Sequence, residues 1–257
     1  MNAEKNIQKS LESYTPARVS LRRTGHSLAT SEILNLQLAN AQARDAVHAT
    51  LDIPALIAGL ARRKLAHLVL ASAAKTRADY LRNPRLGRAL SPNSIARLKA
   101  ISSAPTSVHS YDVAFVIADG LSALAVDRHA LPLLDAMLAL LGATWRIAPI
   151  YVVEQARVAL ADPIGETLGV RTTVILIGER PGLSSPDSLG AYITWNPRRG
   201  RTDAERNCIS NIRPEGLSYA EAANLLHFYL TESHRLQQTG TMLKPSGVSH
   251  ALRDRTT

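Results

Sequence analysis

The sequence predicts an α/β fold in which a mostly parallel sheet follows a helical N-terminal region. Three apolar runs rich in β-branched residues predict buried strands, at 111–118, 147–153 and 174–177. Helical patterns lie between these runs, and strands that alternate with helices favour right-handed crossovers and a parallel sheet. We therefore expect the carboxyl ends of the strands to share one edge, which is where open α/β sheets bind ligands.

The helices are predicted from apolar spacing and from the residues at their ends. We expect them at 31–48, 54–72, around 131–141, 163–168 and 220–235. Pro132 suits the first turn of the third helix, and Gly142 and Gly169 suit the ends of the third and fourth. Residues 191–194 are a candidate for a further strand, whereas no convincing strand is predicted before about residue 105.

Composition divides the chain into four predicted parts. Residues 1–17 are polar and lack periodicity, so we interpret them as a mobile N-terminal arm. Residues 18–105 form the helical N-terminal region, and residues 106–244 form the sheet domain. The polar end, 245–257, is predicted to be a disordered tail.

The charge balance narrows the classes of partner. The 257 residues carry a formal charge of +9, and 24 of the 30 basic residues are arginine. These arginines are scattered, and an aromatic content of 4% is too low for a platform that stacks bases. Nucleic acid is therefore disfavoured, whereas an acidic partner chain or a phosphate-bearing ligand fits arginine's bidentate pairing.

Cysteine count and hydropathy exclude further classes of protein. A single cysteine, Cys208, excludes an internal disulfide and a multi-thiolate metal site. No apolar run reaches the roughly 18–20 residues that span a bilayer. The first residues lack the apolar core of a secretory signal, so we expect a cytoplasmic protein that does not enter membranes.

Polar residues that could form a site are concentrated after the strand at 174–177. There the sequence continues Gly178-Glu179-Arg180-Pro181-Gly182, which places a carboxylate at a strand's carboxyl end. An ion pair of Glu179 with Arg180 or Arg206 is an equally good interpretation of that carboxylate. Cys208, judged on the residue alone, is more simply a small buried side chain.

Two other segments have both a structural and a binding interpretation. Asp119-Gly120-Leu121-Ser122 follows a strand, and its backbone N–H groups could hold an anionic or polar group. A tight turn between strand and helix is the interpretation we favour slightly. Ser184, Ser185 and Ser188 could donate hydrogen bonds to a ligand or cap the start of a turn.

Five longer motifs point to one family. They are VIADGLSALAV at 116–126, DPIGETLG at 162–169, VILIGERPGLSSPDSLGAY at 174–192, TDAERNCISNIRPEGL at 202–217 and GTMLK at 240–244. In order and spacing, over roughly 18–244, they resemble the small (light) subunit of adenosylcobalamin-dependent ethanolamine ammonia-lyase. The resemblance implies that residues 106–244 form a Rossmann-like, doubly wound domain that binds cobalamin.

The resemblance also implies an activity, a cofactor and a partner. The family's lyase converts ethanolamine to acetaldehyde and ammonia by a radical route, and is active only with a large subunit in a hetero-oligomer with several copies of each chain. Adenosylcobalamin lies between the two subunits, where binding positions or strains its cobalt–carbon bond. The family's cobalamin contacts carry over to Val158, Glu179 and Cys208, whereas no catalytic residue and no metal ligand carries over.

Two features of the sequence, at 127–132 and at 1–17, depart from patterns found in cobalamin-binding proteins or in this family. Asp127-Arg128-His129 resembles the start of the Asp-x-His-x-x-Gly pattern of proteins that ligate cobalt through histidine. Pro132 replaces the glycine, so we interpret His129 as structural. Many family members reside in bacterial microcompartments, but the short arm at 1–17 lacks a clear amphipathic helix for targeting.

The alternative function is a stand-alone Rossmann-like protein that binds a nucleotide or cobalamin and has no lyase activity. Against it, the sequence lacks Gly-x-Gly-x-x-Gly at a turn between strand and helix, and it lacks a Walker-type lysine motif. It also offers no persuasive arrangement for nucleophilic catalysis, because no histidine adjoins Cys208.

Overall fold

The computed structural model describes residues 21–102 and 111–244. The predicted arm at 1–17 and tail at 245–257 lie outside these residues, as does the predicted boundary at 105. The described residues form seven α-helices: α1 Thr30–His48, α2 Ile53–Arg62, α3 Arg77–Arg82, α4 Pro92–Ser102, α5 Ala123–Leu141, α6 Ala161–Leu168 and α7 Tyr219–Leu236. They also form eight strands: β1 Arg23–Thr24, β2 Ser27–Leu28, β3 His67–Ala71, β4 Val113–Ala118, β5 Ile150–Glu154, β6 Thr172–Gly178, β7 Leu189–Trp195 and β8 Asn207–Ile212.

Six of these strands form one mixed sheet in the order β3-β5-β4-β6-β7-β8. The pairs β3·β5, β4·β5 and β4·β6 are parallel, whereas β6·β7 and β7·β8 are antiparallel. The predicted α/β fold with a mostly parallel sheet is therefore confirmed. The two antiparallel strands extend the sheet on the side of β6.

Helices cover both faces of the sheet. On one face α5 and α7 pack against side chains such as Phe115 of β4, and on the other α6 packs against side chains such as Val116. Every residue of β4 and β6 is buried, as expected for parallel strands covered on both sides. With both faces covered here, the carboxyl ends of these strands are left as the place where a ligand can approach.

Strand β3 corrects the prediction that residues 54–72 form one helix and that no strand precedes residue 105. The helix α2 ends at Arg62, and Lys64 then takes a positive φ of 55°. The chain continues as β3, which pairs with β5 at the edge of the sheet. Apolar runs of this length fit a buried strand and a buried helix equally well, so apolar spacing alone did not separate β3 from the helix before it.

Helix α5 begins earlier than predicted. Its N-cap is Ser122, whose side chain accepts a hydrogen bond from the backbone N–H of Ala125. Pro132 lies inside the helix and not in its first turn, so that prediction is wrong. Burial on both sides of the proline, for example at Ala125 and Leu134, offsets the hydrogen bond that proline cannot donate. Gly142 ends the helix with a φ of 59°, as predicted.

Candidate functional site

An open cleft of about 430 Å³ lies at the carboxyl ends of β4 and β6 and beside the loop after β5. Helices after β4 and β5 lie on opposite faces of the sheet, which opens a crevice where the neighbouring loops diverge. The side chains and backbone that line the cleft include Gly120, Arg157, Val158, Glu179, Tyr192 and Ser210. Two of the three residues that the resemblance singles out, Val158 and Glu179, therefore share one cleft.

Val158 begins the short 3₁₀ helix Val158–Leu160, which leads into α6. The residue is half-buried and packs against the core beneath α6 while it lines the cleft. A valine in this place offers an apolar contact and no polar chemistry. Residue type alone could not single it out, because most apolar side chains next to a core belong to the core.

Glu179 follows β6 directly and is held by the loop and strands on its far side. Its backbone N–H donates to the carbonyl of Ser188 at 2.9 Å. Its Oε2 accepts a short hydrogen bond from the Ser188 hydroxyl and another from the backbone N–H of Asn211 at 3.1 Å. Within the described residues no donor contacts the second oxygen, Oε1, so one oxygen of this cleft-lining carboxylate remains free to accept a hydrogen bond.

The predicted alternative for Glu179 was an ion pair with Arg180 or Arg206. Arg206 instead forms a bidentate pair with Asp162, at 2.7 Å for both hydrogen bonds. Arg180 is exposed and makes no ion pair within the described residues. The structure therefore does not support the ion-pair interpretation, and serine and backbone donors hold Glu179 instead.

Cys208 lies on β8, directly opposite Tyr192 of β7 in the strand register. It is exposed, and its Sγ lies 3.3 Å from the hydroxyl of Ser210, which lines the cleft together with Tyr192. Burial of the thiol by its neighbours raises the pKa of Cys208, although the residue as a whole is exposed. The thiol is therefore neutral near pH 7 and suits a contact better than nucleophilic attack.

Beneath the cleft, Asp119 ties the loop after β4 to the loop after β5. Its carboxylate accepts hydrogen bonds from the backbone N–H groups of Gln155 at 2.9 Å and Ala156 at 3.0 Å. Arg77 adds a longer contact at 3.4 Å and donates to the carbonyl of Gly120 at 2.8 Å. Burial raises the pKa of Asp119 to about 6. This buried network fixes the loop that presents Val158.

At Asp119-Gly120-Leu121-Ser122 the chain makes a tight turn between β4 and α5. The N–H of Leu121 donates to the carbonyl of Gly178 at 2.9 Å, so this group is not free for an anion. A Cβ on Gly178 would lie 2.0 Å from the carbonyl oxygen of Ser122. Glycine is therefore required where the ends of β4 and β6 touch.

Tyr80 forms part of the cleft wall and was not predicted. Its ring lies between the guanidinium groups of Arg77 and Arg157, whose Cζ atoms are 4.8 Å and 4.6 Å from the ring centroid. Its hydroxyl donates to the carbonyl of Ala156 at 3.2 Å. The three side chains come from two distant segments, and no local sequence pattern connects those segments.

His129 lies away from the cleft, on α5. The residue is buried, its Nδ1 is 2.7 Å from the hydroxyl of Tyr219, and its Nε2 is 3.5 Å from Asp187. Burial lowers the pKa of His129, which favours the neutral ring. These contacts agree with a structural role.

Across residues 21–102 and 111–244, His, Cys, Asp and Glu side chains form no group of three or more that could hold a metal ion. Every helix in that part of the chain is too short or too polar to span a bilayer.

Comparison with known proteins decides the family. The family described as Ethanolamine ammonia-lyase light chain (EutC) matches residues 5–244. The chain belongs to this family. A curated relative from Azotobacter vinelandii, named ethanolamine ammonia-lyase small subunit, is 56% identical over 243 residues, which cover 94% of this chain and 89% of the relative.

Relatives from two Pseudomonas species carry the same name. The protein from Pseudomonas putida is 53% identical over 245 residues, covering 94% of this chain and 89% of the relative. The protein from Pseudomonas aeruginosa is 51% identical over 243 residues, covering 94% and 88%. Membership of the light-chain family makes this protein the small subunit of an ethanolamine ammonia-lyase, and a small subunit implies a large one.

Proposed function

We propose that this chain forms one wall of an adenosylcobalamin site that the large subunit completes. The cleft is open, and a corrinoid is several times larger than its roughly 430 Å³. The cleft can therefore cover only one edge of such a ligand, and a second chain must cover the rest. This agrees with a light chain that is active only in a complex.

The single observation that carries the proposal is the free carboxylate oxygen of Glu179. Corrin rings carry amide side chains, whose N–H groups donate hydrogen bonds. Glu179 lines the cleft, and its Oε1 has no donor from the described residues, while its Oε2 is held by Ser188 and Asn211. A charge-assisted hydrogen bond from an amide to Oε1 would therefore be both strong and well oriented.

The other two proposed contacts complement this hydrogen bond. Val158 offers an apolar surface next to the cleft, and Cys208 offers a neutral thiol on the exposed side of β8. Gly120 and Gly178 keep the floor of the cleft free of side chains. The residues present thus fit a large ligand with an apolar body and amide groups at its rim.

In this arrangement the cofactor and the residues of this chain have different roles. When bound, adenosylcobalamin supplies the radical chemistry of the lyase reaction. The residues of this chain bind it, orient its edge and exclude water from that side. The family resemblance further supports a hetero-oligomer with several copies of each chain, in the cytoplasm or in a bacterial microcompartment.

Co-expression with the large subunit tests the proposal. The chain alone and the purified complex would each be mixed with adenosylcobalamin, passed through a desalting column and examined by absorbance. We expect cobalamin to remain with the complex and not with the chain alone, and we expect acetaldehyde to form only with the complex. Retention by the isolated chain without any lyase activity of the complex would instead favour a stand-alone binding protein.

A further inference from the structure

Arg157 carries a charge that the described residues do not neutralise. Its guanidinium stacks on Tyr80 and donates to the Tyr80 carbonyl at 3.3 Å, but its Nε is buried without a hydrogen-bond partner. Within residues 21–102 and 111–244 no carboxylate lies within ion-pair distance of Arg157 or of its neighbour Arg88. By contrast, Arg201 close by is paired with Glu205.

A second cavity, of about 480 Å³, adjoins the cleft. It shares Arg157, Val158 and Tyr192 with the cleft, so a ligand that extends past Val158 enters it. Three arginines and one carboxylate line this cavity, namely Arg88, Arg157, Arg201 and Asp203. Its lining therefore carries a net positive charge, and Oδ1 of Asp203 lies 3.7 Å from Nε of Arg206.

The position of Arg157 is fixed before any ligand binds. Its backbone N–H donates to the carbonyl of Gly87 at 2.8 Å. A Cβ on Gly87 would lie 3.1 Å from Cγ of Arg157 and 2.9 Å from the ring of Tyr80. Glycine at 87 therefore allows the arginine and the tyrosine to stack closely, and this preorganisation lowers the cost of binding an anion at the guanidinium.

We propose that Arg157, assisted by Arg88, binds a phosphodiester group of the ligand whose other edge contacts Glu179. This inference rests on the proposed function, because adenosylcobalamin carries a phosphodiester in its nucleotide loop. A guanidinium matches a phosphate in charge and in bidentate geometry. The carboxylate of Glu179 would thus select amide donors at one end of the cleft, and Arg157 would select an anion at the other.

Two corrinoids that differ only by a phosphate test this subsite. The complex with the large subunit would be titrated with adenosylcobinamide and with adenosylcobinamide phosphate, and dissociation constants would be read from absorbance. We expect the phosphate form to bind the wild type about tenfold to hundredfold more tightly, the range for hydrogen bonds to a charged group. Arg157→Met should bring that ratio close to one and leave the affinity for adenosylcobinamide nearly unchanged.

Matched variants control for charge and folding. Arg157→Lys keeps the charge and should retain part of the ratio. Arg62→Met removes an exposed arginine at the end of α2, outside both cavities, and should leave the ratio unchanged. Inorganic phosphate at millimolar concentration should displace neither corrinoid, which separates a phosphate carried by the ligand from a site for free phosphate.

Several results would overturn the proposal. A ratio that is equal in the wild type and in Arg157→Met shows that the arginine does not contact the phosphate. An equal loss of affinity for both corrinoids, or loss of the complex itself, shows that Arg157 pairs with the partner chain or supports the cleft. If the wild-type complex binds cobalamin but binds adenosylcobinamide and adenosylcobinamide phosphate equally tightly, only this subsite fails and the proposed function stands. If the wild type binds no corrinoid at all, the proposed function fails with it.

Discussion

Arg206 and Arg157 lie in neighbouring parts of the molecule, but their surroundings differ. The side chain of Arg206 is 1% exposed and forms a bidentate pair with Asp162, itself 3% exposed. Arg206 also donates to the hydroxyl of Thr194 at 2.8 Å. Arg157, beside the cleft, contacts the ring and the backbone carbonyl of Tyr80. No carboxylate among the described residues forms an ion pair with it.

The difference separates groups that hold the fold from groups that folding leaves free to bind a ligand. Removal of one partner from a buried ion pair strongly destabilises the fold, because the other charge is then left buried without a partner. A polar group left without a partner in a cleft contributes little to folding and is available for binding. Oε1 of Glu179 and the guanidinium of Arg157 belong to the second kind, whereas Asp162, Arg206 and Asp119 belong to the first.

The largest expected effect is on the buried ion pair. Asp162→Asn leaves the buried Arg206 guanidinium with only the exposed Asp203 carboxylate as counter-charge and should lower the free energy of unfolding by about 3–5 kcal/mol. Urea denaturation followed by circular dichroism measures this loss. Asp203→Asn is the matched control, because its side chain is 94% exposed and the change should cost less than about 1 kcal/mol. Equal costs for the two variants would show that the buried Asp162–Arg206 pair does not hold the fold.

The stability that Asp119 contributes beneath the cleft should depend on pH. Burial raises its pKa from 3.8 to about 6 in the folded chain. The folded state thus holds the proton more tightly than the unfolded state, so this residue's contribution to stability is lost as the pH rises through about 6. Between pH 4 and pH 7 the stability of the wild type relative to Asp119→Asn should fall by about 2 kcal/mol. A relative stability that is constant or rises over this interval would show that the carboxylate is stabilised as an anion.

Gly190 offers a smaller and more local change. A Cβ at this position would lie 2.9 Å from Oε1 of Glu179, so Gly190→Ala should push the carboxylate out of place. Because φ at Gly190 is not in the left-handed region and the displaced atoms end a flexible side chain, stability should change by less than about 1 kcal/mol. Affinity of the complex for adenosylcobalamin should nevertheless fall about tenfold, as measured by absorbance titration. Unchanged affinity would place the contact with the ligand elsewhere.

The sequence predicts the four inner strands of the sheet better than its two edge strands, β3 and β8. Strands β4 and β6 are unbroken apolar runs because both of their faces are covered, and such runs are visible without a partner. Strand β3 was missed because its apolar run continues the pattern of α2. Strand β8 was missed because Cys208, Ser210 and Asn211 are exposed between its buried residues, which gives a polar segment without clear periodicity.

The residues of the candidate site also differ in how far the sequence predicts them. Glu179 could be predicted from its place at the end of a strand, whereas Val158 and Cys208 came from family resemblance alone. Tyr80 and Arg157 were not predicted, since the fold brings together segments 77 residues apart in the chain. Contacts of this kind depend on tertiary packing, and local spacing does not encode them.

We propose that Glu179 binds the cofactor through an oxygen that folding does not use. The most direct measurement is the dissociation constant for adenosylcobalamin of complexes that carry Glu179→Gln or Cys208→Ser, together with their melting temperatures. We expect Glu179→Gln to weaken binding about tenfold or more, because a charge-assisted hydrogen bond is lost, and Cys208→Ser to weaken it by less than about fivefold. Melting temperatures of the ligand-free complexes should stay within about 3 °C of the wild type. Equal affinity of the wild type and Glu179→Gln would contradict the claim.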